Sequence, residues 1–411
     1  PVDDGNIIYS PLRRSVFWAN EQASCIVRRY IDGDGIIADK NSKVVKYITA
    51  LEDAKISEPI GTISPLRNHL VIILSQICNL ACTYCYAHEA RSPEILDKRK
   101  LKIAYNSVLA NENRMKYFSF IGGGEPLVTW DIIKWSVNYI NTNKSKEDKV
   151  FYTITTNATL LSEPIIQFCR DNNIHIGISF EILKSIQDYQ RPFNKSTLST
   201  FDLIHHNIKQ LMRNNVSFSI RSTITELNIA LMPEMVRFIA DNYPVLKKIH
   251  FEQVTDPKQN DAKFYSEFVH YFCEARKIGK ERGIEVYNSI STSVFGIREQ
   301  FCNGEMCVTP TGSLVACHRI SSVKDKYYHL FRYGQIEEQA ITIDTESYEK
   351  YRNFANLKES KCERCFAHWH CAGICPMERT VLSKEQLELK CDFTREIIKR
   401  ILLEKVTGAS K

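Results

Sequence analysis

The sequence predicts an α/β protein: a partial, TIM-like (β/α)6 barrel preceded by a small module and followed by a cysteine-rich domain. Two observations carry this prediction. From His69 onward, short apolar runs alternate with amphipathic stretches in six strand–helix repeats, the pattern of parallel strands joined by right-handed crossovers. Beyond about Val294 the periodicity fades, and eight of the fourteen cysteines fall between Cys302 and Cys391. The expected divisions are residues 1–65, 66–293 and 294–411.

In the first unit, Ile7-Ile8-Tyr9 and Ser15-Val16-Phe17-Trp18 read as short strands joined by Pro11-Leu12-Arg13-Arg14. Asn20-Glu21 starts a helix through Tyr30, ended by Asp32-Gly33-Asp34-Gly35, and a second helix covers about 43–54. This layout resembles the small winged-helix module that recognises leader peptides of ribosomal peptides. A structural cap or a DNA-binding winged helix are the alternatives. Eight Lys/Arg against nine Asp/Glu in residues 1–65 make a poor phosphate binder, which disfavours DNA.

In the second unit, strands are expected over 70–76, 117–121, 150–156, 174–180, 216–223 and 248–254. Helices fall between them, around 101–115, 130–141, 164–172, 201–213 and 231–242. In such barrels the loops after the strands carry the chemistry.

Composition narrows the class. An apolar fraction of 44% and a charged fraction of 25% are those of a globular protein. The apolar run around 70–74 is far too short to span a bilayer, and no signal peptide is evident, so the cytoplasm is expected. A net charge of +6, spread thinly, is no nucleic-acid footprint. Cys25, Cys169 and Cys273 read as small buried hydrophobes. The remaining thiols, clustered in a long chain, read as metal ligands rather than disulfides.

The first cluster is Cys78-x3-Cys82-x2-Cys85, after the first barrel strand. Three thiolates can hold three irons of a four-iron cluster and leave the fourth open; a zinc site would want a fourth ligand, for which His88 is the nearest candidate. After the second strand comes Gly122-Gly123-Gly124-Glu125-Pro126, where glycine permits close backbone approach. The last segment reads Cys302, Cys307, Gly312, Cys317, then Cys362-x2-Cys365-x5-Cys371-x3-Cys375, then Cys391. Paired zinc ribbons are the alternative for this set.

Together these motifs resemble a radical S-adenosylmethionine (SAM) enzyme with a C-terminal SPASM domain, over roughly residues 70–411. The resemblance implies three [4Fe-4S] clusters. Cys78, Cys82 and Cys85 would hold the one that binds SAM. Cys302, Cys307, Cys317 and Cys375 would hold a second, and Cys362, Cys365, Cys371 and Cys391 a third, both for electron transfer. It also implies SAM contacts from Tyr84, Gly123, Gly124, Glu125, Asn157, Ser179, Arg191 and Val254. Glu125 would support the loop or the methionine ammonium, Tyr84 would reach the adenine edge, and Arg191, twelve residues after Ser179, would take the methionine carboxylate. The family's Asp-Gly after that serine is here Glu181-Ile182.

The family modifies peptides and proteins through a 5′-deoxyadenosyl radical. Sulfatase-maturing relatives place an aspartate base after the third cysteine of their first auxiliary cluster; here that position is His318, a weaker candidate for a proton acceptor. The expectation is therefore a maturase that installs a thioether or carbon–carbon crosslink in a ribosomally made precursor peptide. Its leader would be held by the N-terminal module, and electrons would come from a flavodoxin or ferredoxin. Sulfatase maturation, peptide epimerisation and a metal-binding scaffold without turnover are the alternatives.

Overall fold

A computed structural model of the chain describes residues 5–31, 43–53, 56 and 64–408. It opens on an antiparallel hairpin, β1 (Asn6–Ser10) and β2 (Ser15–Ala19), followed by α1 (Glu21–Ile31) and α2 (Lys43–Asp53). Asn20 caps α1 by accepting from the Ala23 N–H at 2.9 Å. The expected helix stop at Asp32-Gly33-Asp34-Gly35 lies outside the described residues, as does Ala54.

The six expected barrel strands are present, in order and parallel. They are β3 (His69–Ile72), β4 (Met115–Phe120), β5 (Lys149–Thr156), β6 (Ile174–Ser179), β7 (Phe218–Ile224) and β8 (Lys248–Gln253). The helices between them are α3 (Lys98–Leu109), α4 (Trp130–Asn143), α5 (Glu163–Asp171), α6 (Lys184–Gln190), α7 (Thr200–Arg213) and α8 (Met232–Asn242). Phe118, Phe120, Ile154, Ile176, Ile178, Ile220, Ile224 and Phe251 bury one face of the sheet beneath them. Each such side chain contributes about 1.5–3 kcal/mol by leaving water.

The sheet extends beyond what the periodicity shows. After α9 (Ala262–Arg282), β9 (Glu285–Tyr287) adds a parallel strand at one edge; α10 (Ser289–Ser293) follows. At the other edge β10 (Cys307–Val308) lies parallel to β3, and β11 (Ser313–Val315), β12 (Arg332–Ile336) and β13 (Ile341–Ile343) continue antiparallel. Apart from the five-residue β12, these strands have two or three residues and leave no alternation to read. The cysteine-rich segment is completed by α11 (Tyr328–Phe331), α12 (Thr345–Ala355), α13 (His368–Cys371), α14 (Pro376–Val381) and the long α15 (Lys384–Gly408).

The N-terminal hairpin meets this segment. Tyr9 stacks on His370 with ring centroids 5.6 Å apart, and its hydroxyl bonds to His370 Nε2. One expectation is corrected: Cys25 is exposed, on the outer side of α1, because that helix buries only the face carrying Ser24 and Val27. Cys169 is fully buried, as its apolar run suggests, and Cys273 is half-buried.

Candidate functional site

The cysteine loop is built by strand-like pairing on both sides. The Gly124 N–H donates to Ser75 O at 3.0 Å and the Glu125 N–H to Ile77 O at 2.9 Å, so the glycine run lies along the segment entering Cys78. Only glycine fits there: a Cβ on Gly124 would sit 2.1 Å from Ile77 O. Gly122 and Gly123 adopt φ of +80° and +66°, in the left-handed region. On the other side, Ala81 N–H donates to Pro192 O and Thr83 N–H to Gln190 O, both at 2.9 Å, while Asn194 N–H reaches Asn79 O. Arg191 is thereby pinned beside Cys82.

Three thiols share this loop, half-buried and unlinked by disulfides. Burial pushes the Cys78 thiol up to about 11 and raises that of Cys82, although Arg191 opposes it at Cys82. Arg91 Nη2 lies 3.7 Å from Cys85 Sγ.

Above the loop sits a buried charged hub the spacing did not reveal. Glu181 is fully buried and accepts from the Tyr84 hydroxyl, the Ser222 hydroxyl and the Thr223 N–H. Arg191 Nη1 stands 3.6 Å from Glu181 and donates to the Tyr84 oxygen at 2.9 Å. Burial raises the Glu181 carboxyl, while Arg191 and its three donors oppose that rise. Tyr84 therefore has its hydroxyl engaged inside this triad rather than turned to an adenine edge. The departure at Glu181 has a structural consequence: its carboxylate holds the guanidinium that the family resemblance would give to the methionine carboxylate.

Glu125 and Asn157 form a second network. The Glu125 carboxylate accepts from Leu127 N–H (3.0 Å), Thr156 Oγ1 (2.6 Å) and Asn157 N–H (2.7 Å), so it ties the glycine loop to the end of β5. Burial raises its pKa against those donors. Asn157 donates to Asn79 at 2.9 Å, and Asn79 to Thr159 at 2.8 Å. Of Glu125's two expected roles, these bonds fill the loop-supporting one. Ser179 is half-buried at the end of β6, and Val254 is buried just after β8.

The C-terminal thiols gather in two groups. Cys362, Cys365, Cys371 and Cys391 line one cavity of about 230 Å³. Beyond burial, Cys375 and Cys302 both raise the Cys317 thiol, Cys302 also raises Cys375, and Cys307 neighbours Cys317. Burial is the main cause of the raised pKa at every one of these six resolved thiols, from Cys302 through Cys391. Arg298 and Arg379, lowered by burial, lie among them. Among the described residues, no three His, Cys, Asp or Glu side chains converge on a single ion.

His318 sits where the C-terminal segment meets the glycine loop: its carbonyl oxygen would be 3.3 Å from a Cβ on Gly122. Its Nδ1–H faces Glu305 at 2.9 Å, and its N–H donates to the same carboxylate at 2.6 Å. Burial would raise the Glu305 carboxyl, but these contacts hold it below the usual range. Glu305 is a second residue that spacing alone did not disclose.

These donor sets fit iron–sulfur clusters and a polar nucleoside. Soft sulfur donors stand beside guanidiniums that would offset the charge of a bound thiolate cluster, and the buried Arg91 Nε, Arg191 Nε and Gln190 Oε1 lack partners among the described residues. The Radical SAM superfamily description matches residues 72–239. The chain carries a radical SAM domain. SAM and a [4Fe-4S] cluster are what a domain of that superfamily implies.

Relatives agree with it. A cysteine-type anaerobic sulfatase-maturating enzyme of Clostridium novyi is 25% identical over 326 residues, 72% of this chain and 83% of that one. The radical SAM cyclopropyl synthase TigE of Paramaledivibacter caminithermalis is 22% identical over 80% of this chain and 73% of its own length. An uncharacterized Methanocaldococcus jannaschii protein is 33% identical over 171 residues; that match spans 42% of this chain and 58% of the relative. Among solved structures, native anSMEcpe with bound AdoMet superposes with a TM-score of 0.69 at 21% identity, over 83% of this chain and 99% of that one. Streptococcus suis SuiB bound to precursor peptide SuiA gives 0.52 at 16% identity, over 90% and 92%. At these identities the superpositions establish the shared fold. No helix among the described residues is long and apolar enough to cross a membrane.

Proposed function

We propose that the radical SAM domain serves a peptide maturase that installs a thioether or carbon–carbon crosslink in a ribosomally made precursor peptide. The observation that carries this reading is His318. A histidine braced by Glu305 stands against the glycine loop, where the sulfatase-maturing pattern has an aspartate. The hairpin module joined to α13 through Tyr9 and His370 supports a leader-binding role beside the cysteine-rich segment.

Cys78, Cys82 and Cys85 would hold a four-iron cluster with one iron open to the SAM amino and carboxylate groups. When bound and reduced, this group supplies a 5′-deoxyadenosyl radical. The chain's own residues do the rest. Gly122–Gly124 let the backbone approach closely, Glu125 fixes that loop to β5, and Glu181 orients Arg191 toward a carboxylate. Forming a crosslink removes two hydrogens from the peptide, so an electron must leave. The eight C-terminal thiols would hold two further clusters along that exit, with a flavodoxin or ferredoxin supplying reducing electrons.

A second reading, formylglycine formation, is favoured by the likeness to the Clostridium novyi maturase. One experiment separates the two: anaerobic incubation with SAM, reductant and the short precursor encoded beside this gene. The crosslink reading expects loss of two hydrogens, 5′-deoxyadenosine release and no reaction with an aldehyde-specific hydrazide. Hydrazide labelling of a sulfatase-derived peptide would overturn it in favour of formylglycine. Deuterium uptake without a net loss would mean epimerisation.

A further inference from the structure

The inner face of the sheet carries a polar ladder. His69 Nε2 meets Ser119 Oγ at 2.9 Å, Thr153 donates to Ser119 at 2.8 Å, and His175 bonds Ser217 and Ser219 at 2.8 and 2.9 Å. Farther round, His250 Nε2 lies 2.8 Å from Glu252, whose same oxygen also accepts the Ser289 N–H and hydroxyl. These residues are satisfied by one another. Arg221 is not.

Arg221 lies mid-way along β7, where Ile220, Ser222 and Ile224 are buried under the helices, so it points with Ser219 and Thr223 to the inner face. Its register partners are Ser179 on β6 and His250 on β8. It is exposed, and among the described residues it makes no side-chain hydrogen bond or ion pair. Glu252 feels its charge, but that carboxylate is held by His250 and Ser289. Gly177, on β6 two residues before Ser179 and opposite Ser219, carries no side chain on this face. A planar guanidinium kept open next to the residue assigned to the nucleoside is suited to a second planar anion. With Glu252 already contributing one negative charge nearby, a monoanionic carboxylate suits the site better than a phosphate dianion.

We propose that Arg221 recognises a carboxylate of the peptide substrate, from an Asp or Glu side chain or from the C-terminus, and so sets which peptides the barrel accepts. This rests on the peptide-modifying reading above and names its substrate class.

The test is calorimetric binding to anaerobically reconstituted full-length holoenzyme with SAM present. The probes are acetyl-Gly-Gly-Glu-Gly-amide, its Gln analogue, and acetyl-tetraglycine as the free acid. Wild type should bind at least one acid about 10-fold more tightly than the Gln amide, and which acid wins separates side chain from C-terminus. Arg221→Gln should erase that preference, and Arg221→Lys should keep part of it, since lysine retains charge without the fork. Equal binding of all probes by wild type would overturn the proposal, as would a preference that survives Arg221→Gln. So would an Arg221→Gln enzyme that keeps the preference but binds SAM about 10-fold more weakly, because the guanidinium would then serve the nucleotide. Failure of wild type to release 5′-deoxyadenosine would instead refute the radical reading, and the binding preference would stand apart from it.

Discussion

Gly124→Ala tests the construction of the site most directly. The new methyl carbon would lie 2.1 Å from Ile77 O and 2.6 Å from the carbonyl carbons of Gln76 and Ile77. These are backbone atoms, so no side-chain rotation relieves the overlap. The loop must move away, breaking the Gly124–Ser75 and Glu125–Ile77 bonds at 3.0 and 2.9 Å. Overpacking costs about 1–3 kcal/mol, and two lost hydrogen bonds about 1 kcal/mol each, for a total of roughly 3–5 kcal/mol. That is below the stability of most folded proteins, so the chain should still fold. The displacement falls on Ile77, the residue before Cys78, and therefore on the cluster loop. Expressed as binding, 3–5 kcal/mol is a loss of about 100- to 1,000-fold or more in SAM affinity. The assay is iron content after anaerobic reconstitution, followed by SAM titration monitored by electron paramagnetic resonance of the reduced cluster. Gly296→Ala is the control, because nothing lies within 4 Å of its would-be Cβ. A Gly124→Ala enzyme that bound SAM within threefold of wild type would refute the reasoning.

Glu181→Gln should weaken SAM binding by about 10-fold or more, since Arg191 loses its charged anchor; anaerobic equilibrium dialysis giving an unchanged Kd would contradict this. Glu252, held down to about 2 by His250, Arg221 and Ser289 against the effect of burial, should contribute about 3 kcal/mol of stability that is present above pH 4.5 and disappears as the pH falls through 2. Between those limits Glu252→Gln should lose less stability than wild type in denaturant titrations, and parallel curves would exclude the linkage. Lys390 and Glu378, with side chains 4% and 9% exposed, pair at 2.8 Å beside Cys391 and Cys375. Lys390→Met strands a buried carboxylate and should cost about 3–5 kcal/mol. The guanidinium midpoint should fall and should largely recover in Lys390→Met/Glu378→Leu; a single variant as stable as wild type would rule the cost out.

Much of the architecture was legible along the chain. Apolar runs at strand spacing located β3 to β8 within a few residues, because burial of a sheet face imposes a local period. The cysteine trio and the glycine run were equally readable, since metal-ligand spacing and left-handed backbone are properties of short segments. The short edge strands β9 to β11 were not readable, being two or three residues long.

Partnerships across the barrel belong to the tertiary structure. Tyr84, Glu181 and Arg191 span 107 residues between the outer pair, yet they meet because parallel crossovers bring the ends of β3 and β6 together. The same holds for Glu305 bracing His318, and for Arg221 standing open between Ser179 and His250. Local chemistry announces which groups can bind iron or a nucleoside. Which charges are held, and which is left facing the barrel interior, depends on strand register, and no single segment encodes that.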